Sequence, residues 1–302
     1  MAGICQNRVV IVTGAGRGLG RAYALGLAGE GAKVIVNDLG VGTHGDATAE
    51  NPAQQVVDEI RAMGGEAIAN TDDVTDFEAG GRIVQAALDA FGELHAVVNN
   101  AGFVRDRMFV SCTPDEWDAV MQVHLRGHFC ISRHAAEYWR GRQKAGEKVD
   151  ARIINTSSGA GLQGSIGQSA YSAAKAGIAT LTLVQAAELA RYGITANALA
   201  PVARTRMTET AFAEAMKPKE GVFDIFAPEN TAPLVAWLCS ERSAGVSGQV
   251  FELVGGIIRI CLGWNDGPEF DKGSRWDAEG VGSKIEELLA HRPAAKPVYG
   301  TS

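Results

Sequence analysis

Short apolar runs rich in Val and Ile alternate along the chain with longer segments in which apolar residues recur at helical spacing. Apolar runs bounded by Gly or polar residues predict buried strands, and the longer segments predict helices. The expected strands lie near 8–13, 33–38, 66–70, 94–99, 151–157, 194–199 and 249–253. The expected helices lie near 18–30, 52–63, 76–91, 114–140, 169–191 and 229–240. This alternation predicts an α/β fold with a parallel sheet that helices cover on both faces.

The length suits one large domain followed by an extension. The chain has 302 residues, of which 46% are hydrophobic, so it can bury a full core. Domains of this architecture often reach such a size undivided. We expect residues 1–257 to form the domain and residues 258–302 to form a C-terminal extension. The Gly-rich segment 39–51 and the charged segment 144–150 are expected to be surface loops.

A glycine-rich turn follows the first predicted strand. Its spacing, Gly14-x-x-x-Gly18-x-Gly20, lets the backbone turn tightly and approach a phosphate closely. The N–H groups and the dipole of the next helix would then hold the anion. The spacing differs from the Gly-x-Gly-x-x-Gly fingerprint of the broader dinucleotide-binding fold. A tight turn that binds no ligand is therefore the alternative interpretation.

Asp38 adds a second sign of a nucleotide site. It ends the second predicted strand, about 20 residues after the glycine turn, as a dinucleotide-binding unit requires. A carboxylate there can accept hydrogen bonds from both adenosine ribose hydroxyls and would repel a 2′-phosphate. Arg17 in the glycine turn could meet a 2′-phosphate instead, but we interpret it as a solvated side chain. The sequence therefore predicts NAD as the cofactor in preference to NADP.

Tyr171 and Lys175 are candidates for acid–base chemistry. They are four residues apart on a predicted helix, so the phenol and the ammonium share one face. A nearby cation stabilises a phenolate and would lower the pKa of Tyr171 toward the working range. Ser158 follows the predicted strand 151–157, where it could hold a hydroxyl beside Tyr171. The Tyr-x-x-x-Lys spacing alone is weak, because many helices carry it by chance.

Together these motifs resemble the short-chain dehydrogenase/reductase family over roughly residues 5–257. The shared motifs are Thr13-Gly14-x-x-x-Gly18-x-Gly20, Asp73-Val74, Asn99-Asn100-Ala101-Gly102, Ser158 and Tyr171-x-x-x-Lys175. The resemblance implies a single domain with a Rossmann-type doubly wound parallel sheet. It implies that Tyr171 is the acid/base, that Lys175 binds the nicotinamide ribose and lowers the Tyr171 pKa, and that Ser158 orients the substrate oxygen. The cofactor contacts that it implies are Gly14, Arg17, Gly18, Leu19, Gly20, Asp38, Asp73, Val74, Asn100, Ala101, Gly102, Tyr171, Lys175 and Pro201.

His124 points to one branch of this family. It stands where most members of the family have an active-site Asn that anchors a water of the proton relay. In this respect the chain resembles the (3R)-hydroxyacyl-CoA dehydrogenase part of peroxisomal multifunctional enzymes and related bacterial enzymes of steroid side-chain degradation. An imidazole can donate or accept a hydrogen bond, so His124 could keep a relay water in place. The alternative is a structural core histidine.

The resemblance therefore implies an NAD-dependent oxidoreductase that interconverts a secondary alcohol and a ketone. The leading substrates are 3-hydroxyacyl-CoA thioesters, from fatty acids or steroid side chains, or 17β-hydroxysteroids. A 3-oxoacyl-carrier-protein or general carbonyl reductase is the rival within the enzyme class, and Asp38 and His124 argue against it. A nucleotide-sensing protein that has lost its chemistry is a further alternative, disfavoured by the complete Ser158, Tyr171 and Lys175 set.

Two segments could shape the substrate site. Residues 202–228 follow a predicted strand end and carry Met207, Phe212, Met216, Phe223 and Phe226, which could cover an acyl chain or a sterol as a lid. Packing against the body alone is the alternative for these side chains. Five arginines near the expected mouth could meet coenzyme A phosphates, with local salt bridges as the alternative. They are Arg105, Arg107, Arg126, Arg204 and Arg206.

The C-terminal extension carries Trp264, Trp276 and an amphipathic helix expected around 281–291. Two Trp in a polar tail suggest anchors against the body or another subunit. We expect the extension to dock in a homodimer or homotetramer and to help close the substrate site. A frayed terminus is the alternative.

Charge and composition bound the remaining possibilities. The net charge of −7 argues against nucleic acid and anionic membranes as partners. The five Cys have no paired spacing, which suits reduced thiols, and no His/Cys/carboxylate cluster has metal-ligand spacing. No apolar run reaches the 18 or so residues of a membrane span. An early first strand and a C-terminus unlike Ser-Lys-Leu lead us to expect a bacterial cytoplasmic enzyme.

Overall fold

The computed structural model describes residues 3–40, 51–205, 216–294 and 296–301. Its strands form one eight-stranded sheet in the order β3-β2-β1-β4-β5-β6-β7-β8. The strands are β1 (Val9–Thr13), β2 (Lys33–Asn37), β3 (Glu66–Asn70), β4 (Ala96–Asn99), β5 (Ala151–Thr156), β6 (Ile194–Val202), β7 (Val250–Val254) and β8 (Ile257–Cys261). Neighbours pair in parallel except β8, which is antiparallel to β7.

Helices cover both faces of this sheet. They are α1 (Gly18–Gly29), α2 (Pro52–Ala62), α3 (Phe77–Phe91), α4 (Pro114–Met121), α5 (Gly127–Lys144), α6 (Gly159–Gln163), α7 (Ser169–Leu189), α8 (Ala232–Cys239) and α9 (Ala278–Ala290). The apolar faces of α1, α2 and α8 pack into one core, and those of α3, α5 and α7 pack into the other. The Val- and Ile-rich strands are buried between them. The doubly wound parallel sheet predicted from the sequence is thereby confirmed.

The strand order places the site. The chain moves outward from β1 through β2 to β3, and then returns to β4 on the other side of β1. A crevice forms outside the carboxyl ends of the strands where the order reverses. The glycine turn follows β1, Asp38 follows β2 and Asn100 follows β4. The predicted cofactor residues therefore meet at this switch point.

The structure differs from the expected helices and strands at three places. The helix expected over 114–140 is interrupted by a π-helical turn at Gln122–Arg126, and such insertions are frequent at functional sites. The short helix α6, directly after Ser158, was not expected. Strand β8 was not expected either, although Gly255-Gly256 between two apolar runs is a hairpin signal. The sheet thus continues beyond residue 257.

A buried network of amides ties β4 and β5 to the helices behind them. Asn99 Nδ2 donates to Ser132 Oγ at 2.9 Å and to Asn155 Oδ1 at 3.0 Å. Asn155 Nδ2 donates in turn to Thr182 Oγ1 at 2.9 Å and to Gln185 Oε1 at 2.8 Å. Since Ser132 lies on α5 and the last two residues lie on α7, the network fixes both helices against the strands that lead into the site.

Candidate active site

The turn after β1 is packed so closely that side chains would not fit. Gly14 has a φ of 60°, and a Cβ there would lie 2.7 Å from the Ala101 Cα. A Cβ on Gly20 would lie 2.1 Å from the Gly14 carbonyl oxygen. The Asn100 side-chain amide donates to the carbonyl oxygens of Thr13 at 3.0 Å and Gly14 at 3.2 Å. The turn is therefore held against the segment after β4, and the first turn of α1 faces the crevice.

Asp38 is fixed beside this turn. Its Oδ2 accepts a hydrogen bond from the Gly16 amide at 2.8 Å, and its Oδ1 accepts one from the Gly40 amide at 2.8 Å. A Cβ on Gly16 would lie 2.8 Å from Asp38 Oδ2, so only glycine lets the turn come this close. The carboxylate is thus placed next to the phosphate-binding turn, where the ribose of a dinucleotide would lie.

A cavity of about 400 Å³ lies along these groups. The predicted cofactor residues that line it are Gly14, Arg17, Gly18, Leu19, Gly20, Asp38, Asp73, Val74, Asn100, Ala101 and Gly102. Ten further residues line the cavity but were not predicted from the sequence as cofactor contacts. They are Asn37, Leu39, Asp72, Thr75, Phe103, Arg105, Ala119, Gln122, Val123 and Thr205. Of these, Arg105 was expected only as a contact for coenzyme A phosphates. Several of these flank a predicted motif, a signal that could have found them. Val123 directly precedes His124, whereas nothing in the sequence marks Ala119 and Gln122.

Three predicted cofactor residues do not line this cavity. Pro201 lies in β6, opposite Leu253 of β7. Tyr171 packs in an adjacent apolar cluster with Phe103, Val120 and residues of α7. Lys175 is buried one helical turn further along α7. Phe103 lines the cavity and also packs in the cluster of Tyr171, so the cavity lies next to the reactive groups.

Ser158, Tyr171 and Lys175 converge at the carboxyl end of β5. Ser158 caps α6, and its Oγ accepts a hydrogen bond from the Ala160 amide at 3.2 Å. The Ser158 hydroxyl favours the ionised form of the Tyr171 phenol, so the two side chains are neighbours. Lys175 Nζ lies 5.6 Å from the Tyr171 ring centroid and donates to the Thr156 carbonyl oxygen at 2.6 Å. The structure thus brings together the three side chains that the sequence singled out.

Burial dominates the acid–base properties of these groups. It raises the pKa of Tyr171 above the ordinary value of a phenol, and the hydrogen bond with Ser158 acts in the opposite direction. Burial also lowers the pKa of Lys175 to about 7. The expectation that the cation beside Tyr171 lowers its pKa is therefore not met by the protein's own groups. The reason is that a buried phenolate loses more hydration than these neighbours replace.

His124 lies in the π-helical turn and faces Tyr171. The two rings are 5.2 Å apart between centroids and meet edge to face. Burial, followed by the positive charge of Lys175, lowers the pKa of His124 to about 3, so the ring is neutral at physiological pH. Its Nε2 lies 2.6 Å from the Phe103 carbonyl oxygen and 3.2 Å from the Phe103 amide nitrogen. The shorter contact assigns the ring hydrogen to Nε2, which donates to the carbonyl.

This tautomer leaves Nδ1 of His124 as an acceptor. Nδ1 is buried and has no hydrogen-bond partner in the part of the chain that the structure describes. The ring also depends on Gly102, because a Cβ at that position would lie 2.1 Å from His124 Cε1. The glycine of the Asn-Ala-Gly motif therefore makes room for the imidazole, a coupling that sequence reasoning missed.

The arginines near the mouth have protein partners. Arg107 Nε lies 3.0 Å from Glu116 Oε1. Arg204 Nη2 lies 2.5 Å from Asp224 Oδ2. Arg107 and Arg204 thus form the local ion pairs that were the alternative to contacts with coenzyme A phosphates. Arg126 Nε donates to the Thr75 carbonyl oxygen at 2.9 Å, and the Arg105 guanidinium lies 5.6 Å from the Phe103 ring centroid.

The segment expected to be a lid is described at its two ends only. Met207, Phe212 and Arg206 lie outside the described residues. The Arg204 amide donates to the Phe226 carbonyl oxygen at 2.7 Å, which joins the two ends of the segment. Met216 is partly buried, and Phe223 is exposed.

Three segments of the described chain carry exposed apolar side chains. They belong to the turn after Arg107, to the loop between α6 and α7, and to the segment before Pro228. They are Met108, Phe109, Val110, Ile166, Val222, Phe223 and Ile225. Singly exposed apolar residues need no explanation, but several at consecutive positions, such as Met108, Phe109 and Val110, are typical of a surface that binds something apolar.

Neither a metal site nor a membrane span is found in the described parts of the chain. No group of three or more His, Cys, Asp or Glu there could hold a metal ion. No described helix is long and apolar enough to cross a bilayer.

The comparisons with known proteins agree with this geometry. The short chain dehydrogenase family profile matches residues 8–216. The hydroxyacyl-CoA dehydrogenase ChsB1 of Mycobacterium tuberculosis is 42% identical over 95% of this chain and 90% of its own length. The peroxisomal multifunctional enzyme type 2 of Mus musculus is 47% identical over 86% of this chain, which matches only 32% of that longer protein.

A solved structure is similar across the whole chain. The crystal structure of a short chain dehydrogenase from Mycobacterium avium has 55% sequence identity and a TM-score of 0.90, and the match covers 99% of this chain and 100% of that one. The fold, the motif order and these matches lead to one assignment. The chain belongs to the short-chain dehydrogenase/reductase family, whose members are oxidoreductases that act on CH–OH groups with a nicotinamide cofactor, NAD or NADP.

Proposed function

We propose that this protein is an NAD-dependent 3-hydroxyacyl-CoA dehydrogenase that acts on fatty or steroid side-chain acyl-CoA, with 17β-hydroxysteroids as a related substrate class. The observation that carries the proposal is the convergence of Ser158, Tyr171 and Lys175 beside the buried, neutral His124. The acyl-CoA class is supported by the match to ChsB1 over nearly the full length of both chains. We propose that the exposed apolar side chains named above form a rim of the mouth, where they would suit an acyl chain or a steroid nucleus.

The residues of the crevice fit a nicotinamide dinucleotide. Gly14, Gly16 and Gly20 form a cradle in which any Cβ would collide with neighbouring atoms, so backbone N–H groups can approach a phosphate. Asp38 would accept hydrogen bonds from the adenosine ribose hydroxyls, and its charge would repel a 2′-phosphate. This favours NAD over NADP. We propose that Asp73 and Val74, which line the same cavity, hold the adenine.

When bound, the oxidised nicotinamide would accept the hydride that the carbinol carbon loses during oxidation. Tyr171 Oη, as the phenolate, would take the hydroxyl proton, and the neighbouring Ser158 hydroxyl would orient the substrate oxygen toward it. Lys175, with its lowered pKa of about 7, can release a proton near neutral pH and lies beside the Tyr171 ring. In the reductive direction the same groups return the proton to the ketone oxygen.

His124 would anchor the outward path of the proton. With Nε2 bound to the Phe103 carbonyl, its buried Nδ1 can accept a hydrogen bond from a water between Lys175 and the exterior. A relay through a neutral imidazole acceptor needs no change in the charge of His124. We propose this role in place of the Asn that most family members carry.

A homodimer or homotetramer is also part of the proposal. Ile258 and Ile260 of the edge strand β8 lie opposite Leu253 and Phe251 of β7, which are buried in the core. The two Ile side chains are nevertheless 59% and 58% exposed. Helix α9 has no buried residue. Exposed apolar strand edges of this kind are covered in most proteins.

The test is NADH formation at 340 nm with purified protein, NAD and a substrate panel. The panel pairs 3-hydroxyacyl-CoA thioesters of several chain lengths with free 17β-hydroxysteroids and with a 3-hydroxyacyl-carrier-protein thioester. The proposal expects the highest kcat/KM with an acyl-CoA thioester. Preference for the carrier-protein thioester would support the rival 3-oxoacyl-carrier-protein reductase, and binding of NAD without any turnover would support a nucleotide-sensing protein.

Cofactor choice is tested at Asp38. The Asp38→Asn variant removes the charge but keeps the size, so the kcat/KM ratio of NAD to NADP should fall by at least tenfold, roughly 1.4 kcal/mol. The ratio is measured with saturating substrate in both cofactors. Asp58→Asn is the matched control, because Asp58 is an exposed carboxylate on α2. An unchanged ratio in Asp38→Asn would remove Asp38 as the selecting residue.

A further inference from the structure

The end of the C-terminal extension returns to the candidate active site. Tyr299 forms a β-bridge with Ser165, in the loop between α6 and α7. The Ile166 amide donates to the Tyr299 carbonyl oxygen at 2.9 Å, and the Tyr299 amide donates to the Gly164 carbonyl oxygen at 3.1 Å. Gln163 Nε2 donates to the Pro297 carbonyl oxygen at 3.0 Å. Residues 296–301 are therefore paired with the segment that connects the helix capped by Ser158 to the helix of Tyr171.

The other side of this loop is held by the segment before α4. The Arg107 amide donates to the Gly167 carbonyl oxygen at 2.7 Å, and Gln168 Nε2 lies 3.1 Å from both carboxylate oxygens of Asp106. The loop is therefore hydrogen-bonded on one side to the C-terminal segment and on the other side to Asp106 and Arg107. The position of the loop determines how α6 and the first turn of α7 face each other.

Tyr299 also contacts α6 at its first residue. A Cβ on Gly159 would lie 2.5 Å from the Tyr299 Oη and 2.9 Å from its Cε2. Gly159 is buried and does not have a left-handed backbone, so the turn itself would accept Ala. The Tyr299 phenol is therefore the group that a side chain next to Ser158 would meet first, and either the phenol or the Ser158 turn would have to shift.

The same segment continues the apolar rim. Val298 lies within van der Waals reach of Gly164, where a Cβ would be 3.4 Å from its Cγ1. Gly300 lies against Ile166, with a Cβ position 3.3 Å from the Ile166 Cβ. Tyr299 is 40% exposed beside them, and burial raises the pKa of its phenol, so it stays neutral. These side chains present a neutral, mostly apolar surface next to the reactive serine.

We propose that residues 296–301 form a wall of the substrate site and that Tyr299 is a positioning residue, which seats the Ser158 turn and limits the bulk of substrate accepted beside it. The proposal deepens the proposed function and rests on it, since the substrate is taken to be an acyl-CoA of variable bulk. Tyr299 acts through α6 and the α6–α7 loop rather than on the reacting atoms.

A double-mutant cycle between Gly159 and Tyr299 tests the contact. Gly159→Ala should lower kcat/KM by about tenfold or more, because a shift of the Ser158 turn misplaces the reacting oxygen. Tyr299→Ala should open the site, so that the ratio of kcat/KM for long-chain to short-chain 3-hydroxyacyl-CoA changes by at least threefold. Gly159→Ala combined with Tyr299→Ala should recover most of the loss of Gly159→Ala, because the colliding phenol is gone.

Thr301→Val is the control from the same segment. The Thr301 hydroxyl donates only within the segment, to the Val298 carbonyl oxygen at 2.7 Å, in the described structure. This variant should have the same ratio of kcat/KM for long-chain to short-chain substrate as the wild type. The NAD Kd of every variant should equal that of the wild type. Additive losses in the Gly159 and Tyr299 double variant, or an equal change in Thr301→Val, would overturn the proposal.

A second readout separates this inference from the proposed function. Amide hydrogen exchange is measured over peptides that cover 158–168 in wild type, Tyr299→Ala and Thr301→Val, with no substrate. Faster exchange at Ala160 to Leu162 in Tyr299→Ala alone supports the seating of α6, even if the acyl-CoA panel shows no turnover. Unchanged exchange in all variants would contradict the seating, even if the protein proves to be an acyl-CoA dehydrogenase.

Discussion

Tyr171 is partly buried, and this burial favours its neutral form, so the protein's own groups disfavour the phenolate that would act as the base. The positive charge of an oxidised nicotinamide, and that of Lys175 while it is protonated, would favour the phenolate once the complex forms. Burial that raises a pKa means that the phenolate fraction grows only as the pH rises into the alkaline range. Oxidation of the alcohol should therefore speed up with rising pH, and reduction of the ketone should be favoured at lower pH.

The Tyr171→Phe variant tests this residue directly. It removes the proton carrier but keeps the ring that packs with Phe103 and His124. Turnover should fall by about two to four orders of magnitude, the usual contribution of a general acid or base. The NAD Kd, measured by fluorescence titration, should stay within a few-fold of wild type. Retained turnover would refute the assignment of Tyr171.

His124 should contribute no titration of its own near neutral pH. Its pKa of about 3, lowered mainly by burial, keeps the ring neutral throughout the working range. The pH profiles of wild type and His124→Asn, measured as kcat/KM from pH 5 to 9, should therefore have the same inflections, while kcat differs by a constant factor. An inflection present in wild type and absent in His124→Asn would show that the imidazole titrates in the reaction.

At the scale of elements, the polar network behind the strands holds the site more firmly than apolar packing alone would. Asn155 lies on β5, just before Ser158, and it bonds to residues on β4 and α7. Its removal would leave the buried partners Asn99, Thr182 and Gln185 without one hydrogen bond each. Buried polar groups left unpaired cost about 1–3 kcal/mol.

The Asn155→Ala variant should accordingly lower the free energy of unfolding by about 1–3 kcal/mol. The measurement is chemical denaturation followed by circular dichroism, with Gln143→Ala on the exposed end of α5 as the control. Activity should fall with stability, since the network joins the strand that leads to Ser158 with the helix that carries Lys175. Equal stability of the two variants would contradict a structural role for the network.

At the scale of the whole molecule, the edge of the sheet is incomplete in a single chain. The apolar face of β8 is exposed, Trp264 is fully exposed, and Trp276 packs only on its near neighbour Phe270 among the described aromatic rings, with ring centroids 6.1 Å apart. The expectation that Trp264 anchors the extension against the body is therefore not met within one chain. Contact with another subunit, which is part of the proposed assembly, and a frayed terminus are the two remaining interpretations for Trp264.

Assembly is tested by sedimentation velocity. The wild type should sediment as a dimer or tetramer, and Ile258→Lys combined with Ile260→Lys should shift it to a smaller species, because two buried charges at an interface are costly. Met63→Lys is the control, since Met63 is 58% exposed, as is Ile260, but lies after α2. A monomeric wild type, or equal dissociation in the control, would contradict an interface at β8.

The sequence by itself determined the sheet, the glycine turn with Asp38, and the Ser158, Tyr171 and Lys175 set. These are local patterns, since strand runs, turn glycines and a four-residue helical spacing are each contained in a short stretch of chain. The glycine turn and Asp38 lie at the cavity because parallel strands place their carboxyl ends at one edge. The resemblance to the family, and not a local pattern, supplied Asp73, Val74, Asn100, Ala101 and Gly102, which line the same cavity.

Only the tertiary structure decided the features that join distant parts of the chain. The fit of His124 against Gly102, the amide network around Asn155 and the return of Tyr299 to Gly159 each link segments far apart in sequence. The direction in which the Tyr171 pKa is shifted was also decided by the tertiary structure, because the shift depends on how much water burial removes from the phenol. Such contacts and burial arise from packing, which no periodicity in the sequence records.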